Sequence, residues 1–281
     1  MPAARSVQEA LNSATHMLTA SPERSLEASL LLAHVLGISR AQLLARSEQP
    51  LSKSQAEVFF DMIRRRRAGE PVAYLVGHRE FWSLDLVVNE HTLIPRPETE
   101  LLVEMALECI PPRSELHILD LGTGSGAIAL AVASERPRCR VVATDLCPRA
   151  LNVARGNAER LQITNVAFRQ GAWFAPVPDQ SFDIIVSNPP YVAQNDPHLQ
   201  VGDLRAEPDL ALVAGPGGME MITTIVREAP QHLRQGGWLL LEHGYDQATS
   251  VAALLREANY IHIQTRRDLA GQERITTGQY G

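Results

Sequence analysis

The sequence predicts an α/β protein with a mixed sheet and an antiparallel last strand, preceded by a small all-α bundle. Three observations lead to this prediction. The first 70 residues show only helical patterns, the chain from Leu101 onwards alternates β-rich runs with helical stretches, and the last two β-rich runs are separated only by "DLAGQE". Alternation is typical of a parallel sheet covered on both faces, and a short connection is typical of a hairpin. We therefore expect a helical domain over residues 1–72, a β-hairpin linker over 73–95 and the α/β domain over 96–281.

Capping residues indicate the helices of the N-terminal segment. Ser52 and Gln55 have the spacing of a capping box, in which each side chain bonds the backbone N–H of the other residue. "SPERSLEASLLLAHVLG" predicts a helix that is capped by Ser21 and ended by Gly37. The arginine run Arg64–Arg67 ends the last predicted helix. It fits a solvated helix C-terminus, and a docking patch for an acidic or RNA-containing partner is the alternative.

The β-structure is predicted from alternation and from runs of β-branched residues. "YLVGHREFWSLDLVVNEHTLI", from Tyr74 to about Ile94, is typical of a hairpin. Seven further strands are expected in the α/β domain: "HILDLG", "RVVATD", "VAFRQG", "FDIIVSN", "WLLLEHG", "IHIQTRR" and "RITTGQ".

Composition excludes several classes of function. The chain has 281 residues, and no apolar run reaches the roughly 20 residues of a membrane span. Its N-terminus shows no signal-peptide pattern, so we expect a cytoplasmic protein. The net charge of −6 argues against a protein that holds nucleic acid by neutralising phosphates, although residues 1–80 carry +2 and the rest −8. Three scattered cysteines, and histidines without ligand spacing, predict neither disulfides nor a metal.

A glycine-rich loop, "DLGTGSG", follows the first strand of the α/β domain. Gly122, Gly124 and Gly126 allow a sharp turn and a close approach to a ligand, and the next helix begins at the same point. Asp145 ends the following strand, where its carboxylate could accept two hydrogen bonds from a ribose diol. Together these features predict a cofactor that contains adenosine.

The loop alone does not separate two cofactors. Read as GxGxG it suits S-adenosyl-L-methionine (SAM), and read as far as Ala127 it also satisfies the dinucleotide pattern. Asp120 favours SAM, because a carboxylate just before the first glycine would attract a cation and repel a pyrophosphate.

The fourth strand of this domain ends in "NPPY", Asn188 to Tyr191. Adjacent prolines end a strand because neither has an N–H to give to a neighbour. They do not explain the asparagine and the tyrosine that flank them. An amide nitrogen is a poor nucleophile, so a site that methylates one must hold its NH2 with acceptors. Asn188 and the backbone carbonyl of Pro189 offer two, and Tyr191 offers a flat wall.

Two other classes of function stay open at this point. A nucleic-acid amino-methyltransferase could use the same motif on adenine or guanine, but the negative charge and the 5% aromatic content count against it. An NAD-dependent oxidoreductase or a plain nucleotide-binding module would leave "NPPY" unexplained.

The combination of "DLGTGSG" and "NPPY" resembles the class I amino-methyltransferases, which are Rossmann-like. "YLVGHREFWSL", "LIPRPETE", "GDLRAEP" and "LLLEHG" extend the resemblance to the HemK/PrmC family, the peptide chain release factor glutamine methyltransferases. The resemblance implies SAM-dependent methylation of the glutamine in the GGQ motif of bacterial class I release factors. A ribosomal-protein glutamine methyltransferase is the alternative within the same broad family. No membrane association and no direct nucleic-acid substrate are expected, and we expect a monomer.

The resemblance also assigns roles to residues. It implies SAM contacts from Gly122, Thr123, Gly124, Ser125, Gly126 and Asp145, with Trp173 on the adenine side. It implies that Asn188, Pro189 and Tyr191 act in catalysis, that Pro190 joins them in holding the target glutamine, and that Asn188 also touches SAM. Ala172 departs from the acidic residue that the family often has before the tryptophan, so a side-chain contact to the adenine amino group is not expected there. "PRPE", Pro95 to Glu98, either lines the substrate mouth or forms a rigid turn.

Overall fold

The structure is a computed structural model that describes residues 6–281. It divides into two compact units. The first unit runs up to His78 and includes Val201–Ala206, and the second comprises Arg79–Gln200 and Glu207–Gly281. The predicted helical segment 1–72 begins with five residues that lie outside the described part of the chain.

Within the described residues, the first unit contains five α-helices, α1 to α5. They span Val7–Met17, Arg24–Leu36, Arg40–Leu44, Lys53–Arg67 and Val72–Val76. The capping box of Ser52 and Gln55 is present, and Gly37 ends α2 in the left-handed conformation. Apolar residues from α1, α2 and α4, among them Leu31 and Phe59, form one buried core.

Two predictions were wrong in this unit. α2 begins at Arg24 rather than at Pro22, because the Ser21 hydroxyl accepts the Glu23 N–H at 3.1 Å and closes a turn before the helix. The β-structure predicted from Tyr74 onwards starts only at His78. The preceding residues form helix α5, which buries Leu75 in the helical core. Gly77, with φ of 80°, ends that helix.

The arginine run is largely paired with acids of its own unit. Arg66 donates to Glu27 at 2.7 Å and to Asp203 at 2.6 Å, and its side chain is only 14% exposed. Arg65 pairs with Glu70. Arg64 is 63% exposed and pairs with Asp61 at 2.7 Å in the same helix. Arg66 is therefore a structural residue of the helical unit and not part of a free basic patch.

A hairpin follows α5 and is formed by β1, His78–Phe81, and β2, Leu84–Val87. Asn157 anchors β2 to the rest of the second unit, because its side chain accepts the Val87 N–H at 2.8 Å and donates to the Val87 carbonyl at 3.0 Å. Phe81 is buried in the hydrophobic core of this unit.

All seven predicted strands of the α/β domain are present. β3 to β9 span His117–Leu121, Arg140–Asp145, Val166–Gln170, Phe182–Ser187, Leu233–Glu242, Tyr260–Arg267 and Glu273–Tyr280. Their order in the sheet is β5-β4-β3-β6-β7-β9-β8. β3 to β7 pair in parallel, and β9 pairs antiparallel to both β7 and β8. The predicted antiparallel last strand is confirmed, and it is inserted inside the sheet.

Helices cover both faces of this sheet. The helices of the second unit, α6 to α11, span Glu100–Cys109, Ala127–Glu135, Pro148–Arg160, Asp209–Leu212, Glu220–Glu228 and Ala248–Glu257. Neighbouring strand residues belong to opposite cores: Ile118 packs with α6 and α7, whereas Leu119 packs with α10 and α11. The two central strands, β3 and β6, are buried on both faces, so most of their residues are apolar.

The strand order reverses beside β3. The chain passes from β3 to β4 and β5 on one side, then returns to place β6 on the other side. Such a reversal opens a crevice at the carboxyl ends of the two central strands, which is where ligands bind in open α/β sheets.

Candidate active site

Four strand ends form a row at the carboxyl edge of the sheet. The pairing of Leu121 with Thr144 and with Ser187 sets Gly122 beside Asp145 on one side and Asn188 on the other. The pairing of Ser187 with Leu241 sets Glu242 next in the row. Adjacent strands lie about 4.8 Å apart, so the predicted cofactor residues and the "NPPY" motif share one edge.

Asp145 holds the glycine loop in place. Its carboxylate accepts the Gly124 N–H and the Cys147 N–H, each at 2.8 Å, through different oxygens. Gly122 and Thr123 donate to the Thr144 carbonyl, which ties the loop to the end of β4. Burial raises the pKa of Asp145, and the two backbone N–H groups oppose that rise.

The glycine loop leaves space that an adenosine-containing group could enter. Gly122, Gly124 and Gly126 all have positive φ, which favours glycine. A Cβ placed on Gly124 would meet nothing within 4 Å, whereas one on Gly126 would meet Leu130 at 3.0 Å. Gly124 therefore borders open space, and Gly126 lets the helix pack closely. A Cβ on Gly122 would lie 3.7 Å from the ring of Trp173, so that ring stands beside the loop.

These residues fit SAM. Each Asp145 oxygen accepts one backbone N–H and keeps a lone pair for a ribose hydroxyl. Trp173 is half-buried, its backbone holds a φ of 45°, and its carbonyl accepts the Thr144 hydroxyl at 3.1 Å. A flat ring held in this way beside the loop suits a base. Ala172 is exposed.

Asp120 distinguishes between the two cofactors that the loop allows. One carboxylate oxygen accepts the Thr123 hydroxyl at 2.6 Å, and the other is buried without a hydrogen-bond partner among residues 6–281. Burial raises the pKa of Asp120 to about 7, and the charge of Asp145 adds to the rise. A cation would favour the charged form, whereas a pyrophosphate would not. The uncompensated carboxyl therefore fits a sulfonium or ammonium group.

The "NPPY" segment is fixed on both sides. Before it, the Ser187 hydroxyl donates to the Leu121 carbonyl at 2.8 Å, which joins the ends of β6 and β3. After it, Val192 bridges to Val213, and the Gln247 side chain donates to the Tyr191 carbonyl at 3.0 Å. Pro189 is buried and Pro190 is half-buried. The segment therefore has little freedom to move when a substrate enters.

Asn188 and Tyr191 both lie near the buried carboxyl group of Glu242. The Asn188 amide donates to the Thr99 hydroxyl at 3.2 Å, and the Tyr191 hydroxyl donates to Glu242 at 3.3 Å. Glu242 is fully buried, and its second oxygen has no hydrogen-bond partner within the described chain. Burial raises the pKa of Glu242 to about 7, against the stabilising effect of the Thr99 and Tyr191 hydroxyls. Burial also raises the pKa of Tyr191.

The "PRPE" segment lies next to this group and is held by a buried acid. Arg96 forms an ion pair with Glu207, whose side chain is fully buried and also accepts the Ile94 N–H at 3.0 Å. Glu98 is close enough to Tyr191 and Glu242 to raise the pKa of both. Of the two readings of this segment, the position of Glu98 supports the one that lines the substrate mouth.

Sequence reasoning missed three residues of this region. Thr99 lies inside "LIPRPETE" but was given no role of its own, and Asn157, which also donates to the Ser125 carbonyl at 2.9 Å, was not singled out. Glu242 lies at the end of the predicted strand "WLLLEHG" and was assigned no role. Each is a polar side chain that is at most 4% exposed. The available signal was "LLLEHG", where an acid follows three leucines at the end of a buried strand.

His243 follows Glu242 and has a structural role. Its ring nitrogens lie 2.9 Å from the Gly244 carbonyl and 2.7 Å from the Thr276 hydroxyl. Burial lowers the pKa of His243. The ring thus joins the end of β7 to β9 in its neutral form.

Family models match both units of the chain. Residues 9–77 match the PrmC N-terminal domain, and residues 112–274 match a methyltransferase domain. At the level of fold, the 16S rRNA methyltransferase RsmC of T. thermophilus, solved in complex with AdoMet and guanosine, superposes with a TM-score of 0.53. It is 18% identical, and the match covers 73% of this chain and 50% of that one.

Curated relatives match nearly the whole chain. The release factor glutamine methyltransferase of Vibrio cholerae is 50% identical over 280 residues, which cover 98% of this chain and 96% of that protein. The enzyme of the same name from Pseudomonas aeruginosa is 51% identical, with 92% of this chain and 94% of that protein covered. With half of its residues identical over almost its full length, and with the N-terminal domain of that family, the chain belongs to the release factor glutamine methyltransferases.

Proposed function

We propose that this enzyme transfers a methyl group from SAM to the side-chain amide nitrogen of a glutamine in a peptide chain release factor. The target is the glutamine of the GGQ motif of class I factors. The observation that carries the proposal is the row of strand ends. It sets an amide acceptor, Asn188, beside a glycine loop and acid that suit an adenosine cofactor. The family relationship supplies the substrate class.

Residues of the glycine loop and β4 would hold the cofactor. Asp145 would accept the ribose hydroxyls, Trp173 would lie against the adenine, and the loop from Gly122 to Gly126, with Thr123 and Ser125, would follow the cofactor closely. Asp120 would balance positive charge. When bound, SAM supplies an electrophilic methyl group on a positively charged sulfur.

The "NPPY" residues would hold the substrate amide. The Asn188 side-chain oxygen and the Pro189 carbonyl would each accept one N–H of the target NH2, so that the developing lone pair points along the crevice. Pro190 would stiffen the backbone, and Tyr191 would form a wall for the flat amide. The new N–C bond forms as the C–S bond breaks. The nitrogen then loses one proton to water, which needs no strong base because an alkylated amide nitrogen is very acidic.

The helical unit would dock the release factor. It carries the excess of positive charge, whereas the rest of the chain is acidic. We infer that residues 1–72 bind the partner away from the chemistry, that residues 73–95 connect the two functions, and that residues 96–281 form the catalytic domain. We also infer that the enzyme works as a monomer in the cytoplasm. No helix within residues 6–281 is long and apolar enough to cross a membrane.

The test is a methyl-transfer assay with labelled SAM. The intact release factor should be labelled, and a variant whose GGQ glutamine is replaced by alanine should not be. Ribosomal proteins, DNA and RNA serve as rival substrates. Label of equal strength on the alanine variant, or label only on a rival, would contradict the proposal.

Asn188→Ala tests the role of the strand-end amide. Turnover should fall about 100-fold or more, as after removal of one positioned polar group in a catalytic site. The thermal unfolding midpoint should change little, because Asn188 is only half-buried. Normal turnover in this variant would remove Asn188 from the chemistry.

A further inference from the structure

The orientation of the Asn188 amide decides whether the site can work. A side-chain amide has an acceptor end and a donor end of almost the same shape. A substrate NH2 needs the acceptor end. If the amide turned by 180°, its own NH2 would face the substrate NH2, and the two would repel. Some neighbouring group must therefore fix which end points toward the crevice.

Thr99 is the neighbour that contacts this amide. It lies at the start of α6, is only 4% exposed, and its oxygen is 3.2 Å from the Asn188 nitrogen. A hydroxyl alone does not fix an amide, because it can donate to the amide oxygen as readily as it can accept from the NH2. The Thr99 hydroxyl acts only as an acceptor toward Asn188 if its own proton is already donated to another group.

Glu242 is the acceptor toward which the Thr99 hydroxyl can direct its proton. The Thr99 hydroxyl lies close enough to the Glu242 carboxylate to lower the pKa of Glu242, and a carboxylate accepts hydrogen bonds without donating any. The Tyr191 hydroxyl donates to the same carboxylate at 3.3 Å. The acid is fully buried, and one of its oxygens lacks a hydrogen-bond partner within residues 6–281. A buried acid that is only partly satisfied is costly to keep, and a role in orienting the site explains it.

We propose that Thr99 and Glu242 are positioning residues for methyl transfer. The Glu242 carboxylate accepts a hydrogen bond from the Thr99 hydroxyl, the Thr99 oxygen then accepts a hydrogen bond from the NH2 of Asn188, and the Asn188 oxygen is left for the substrate. The same acid holds the hydroxyl of Tyr191 and so orients both flanking residues of the motif. This inference rests on the proposed function.

The arrangement is sensitive to protonation. A protonated Glu242 could donate to Thr99, whose own proton would then be free to reach the Asn188 oxygen and turn the amide. Burial raises the pKa of Glu242 to about 7; Glu98 adds to the rise, and Arg274 opposes it. Turnover of the wild type should therefore fall as pH drops through about 7. Asp120 titrates in the same range, so the comparison between variants is decisive.

Thr99 variants test whether the Thr99 hydroxyl orients the Asn188 amide. At saturating SAM and intact release factor, Thr99→Val should lose about 10- to 100-fold in kcat, because the amide is no longer fixed. Thr99→Ser keeps the hydroxyl and should stay within about threefold of wild type. SAM affinity measured by calorimetry should be unchanged in both variants. Equal turnover of the valine and serine variants would overturn the proposal.

Glu242→Gln tests whether the ionised Glu242 carboxylate orients the Thr99 hydroxyl, because glutamine imitates the protonated acid. The kcat of this variant at pH 8 should be as low as the kcat of wild type at pH 6. Between pH 6 and 8, its kcat should change less with pH than the kcat of wild type does. Glu257→Gln, on an exposed position of α11, is the matched control. The double variant Thr99→Val, Glu242→Gln should be about as slow as Thr99→Val alone. Both changes interrupt the same series of hydrogen bonds, which runs from Glu242 through Thr99 to Asn188.

Three results would overturn the inference. The first is a Glu242→Gln variant whose kcat falls with decreasing pH just as that of wild type does. The second is a double variant whose loss of kcat is the sum, in free energy, of the two single losses. The third is a loss of kcat that is explained by a lower thermal unfolding midpoint. If Thr99→Val fails to fold, the serine variant and the Glu242→Gln pH profile decide the outcome. A wild-type enzyme that leaves the release factor unlabelled in the same assay would instead refute the proposed function.

Discussion

At the scale of single residues, Asp145 combines two tasks. It accepts the Gly124 N–H and the Cys147 N–H at 2.8 Å each, so it shapes the loop that would receive the cofactor, and it offers further lone pairs to a ribose. The sequence spacing predicted only the second task. Removing the carboxylate should therefore weaken cofactor binding both directly and through the loop.

Asp145→Ala should weaken SAM binding by about 1.5–3 kcal/mol, the usual contribution of hydrogen bonds to a charged group. Asp145→Asn keeps the shape and one acceptor, so its loss should be smaller. Calorimetry with SAM measures both affinities, and thermal unfolding shows whether the variants fold. Unchanged affinity in the alanine variant would exclude Asp145 from the cofactor site.

Glu242 also links this site to the stability of the protein. Its pKa is about 7 in the folded chain, above the ordinary value of 4.5. Between these values the folded state binds a proton that the unfolded state has released, so the free energy of unfolding falls as pH rises from about 4.5 to 7. Above pH 7 the full penalty is present, on the order of 3 kcal/mol.

Glu242→Gln should remove this penalty. The variant should be more stable than wild type at pH 8, by up to about 3 kcal/mol, and nearly equal to it at pH 5. Urea unfolding at the two pH values measures the difference. The contribution of Asp120 is common to both proteins and cancels. A variant that is less stable by the same amount at both pH values would show that the acid is not strained by burial.

At the scale of elements, the last turn of α4 shows how one helix separates structural from solvated arginines. Arg66 is 14% exposed and bonds both Glu27 of α2 and Asp203, while Arg64 is 63% exposed and pairs within its own helix. Periodicity explains the difference, because positions two apart lie on different faces of a helix.

Arg66→Ala should lower the free energy of unfolding by about 3 kcal/mol, because it leaves Glu27 buried without its partner. Arg64→Ala is the matched control and should cost less than about 1 kcal/mol, as is usual for an exposed pair. Urea unfolding of the full chain compares the two. Equal effects would mean that the run acts as one solvated patch.

At the scale of the whole molecule, the chain has a unit that the proposed chemistry does not require. The methyl transfer proposed above uses the strand-end crevice of the second unit, yet the first unit adds five helices within the described residues and carries the basic excess. A large folded substrate explains this division, because binding energy far from the reacting atoms can be used to align them.

A short peptide that contains GGQ should therefore be a much poorer substrate than the intact release factor. We expect kcat/KM to be lower by at least about 100-fold, because the remote binding energy is lost. Steady-state kinetics with labelled SAM measures the ratio, and a peptide with alanine in place of the glutamine is the blank. Equal efficiency for peptide and intact factor would contradict docking by a separate unit.

The sequence by itself determined the elements of this fold and the chemistry of its two motifs. Seven strands, the capped helices and the antiparallel last strand were readable because hydrophobic periodicity, caps and short turns are local properties. The glycine loop and "NPPY" were readable because backbone freedom and amide chemistry belong to particular residue types. The errors at Ser21 and Tyr74 lie at element boundaries, where a side-chain turn and tertiary packing override local preference.

Only the tertiary structure decided which of these parts meet. The hydrophobic pattern of a strand does not identify its neighbours, so nothing local specified that β6 would lie between β3 and β7, or that β9 would enter between β7 and β8. That order brings Thr99 to Asn188, which is 89 positions later in the chain, and Tyr191 to Glu242, which is 51 positions later. Contacts across such separations arise from packing both faces of one sheet, and the polar groups that packing buries beside the motif then orient it.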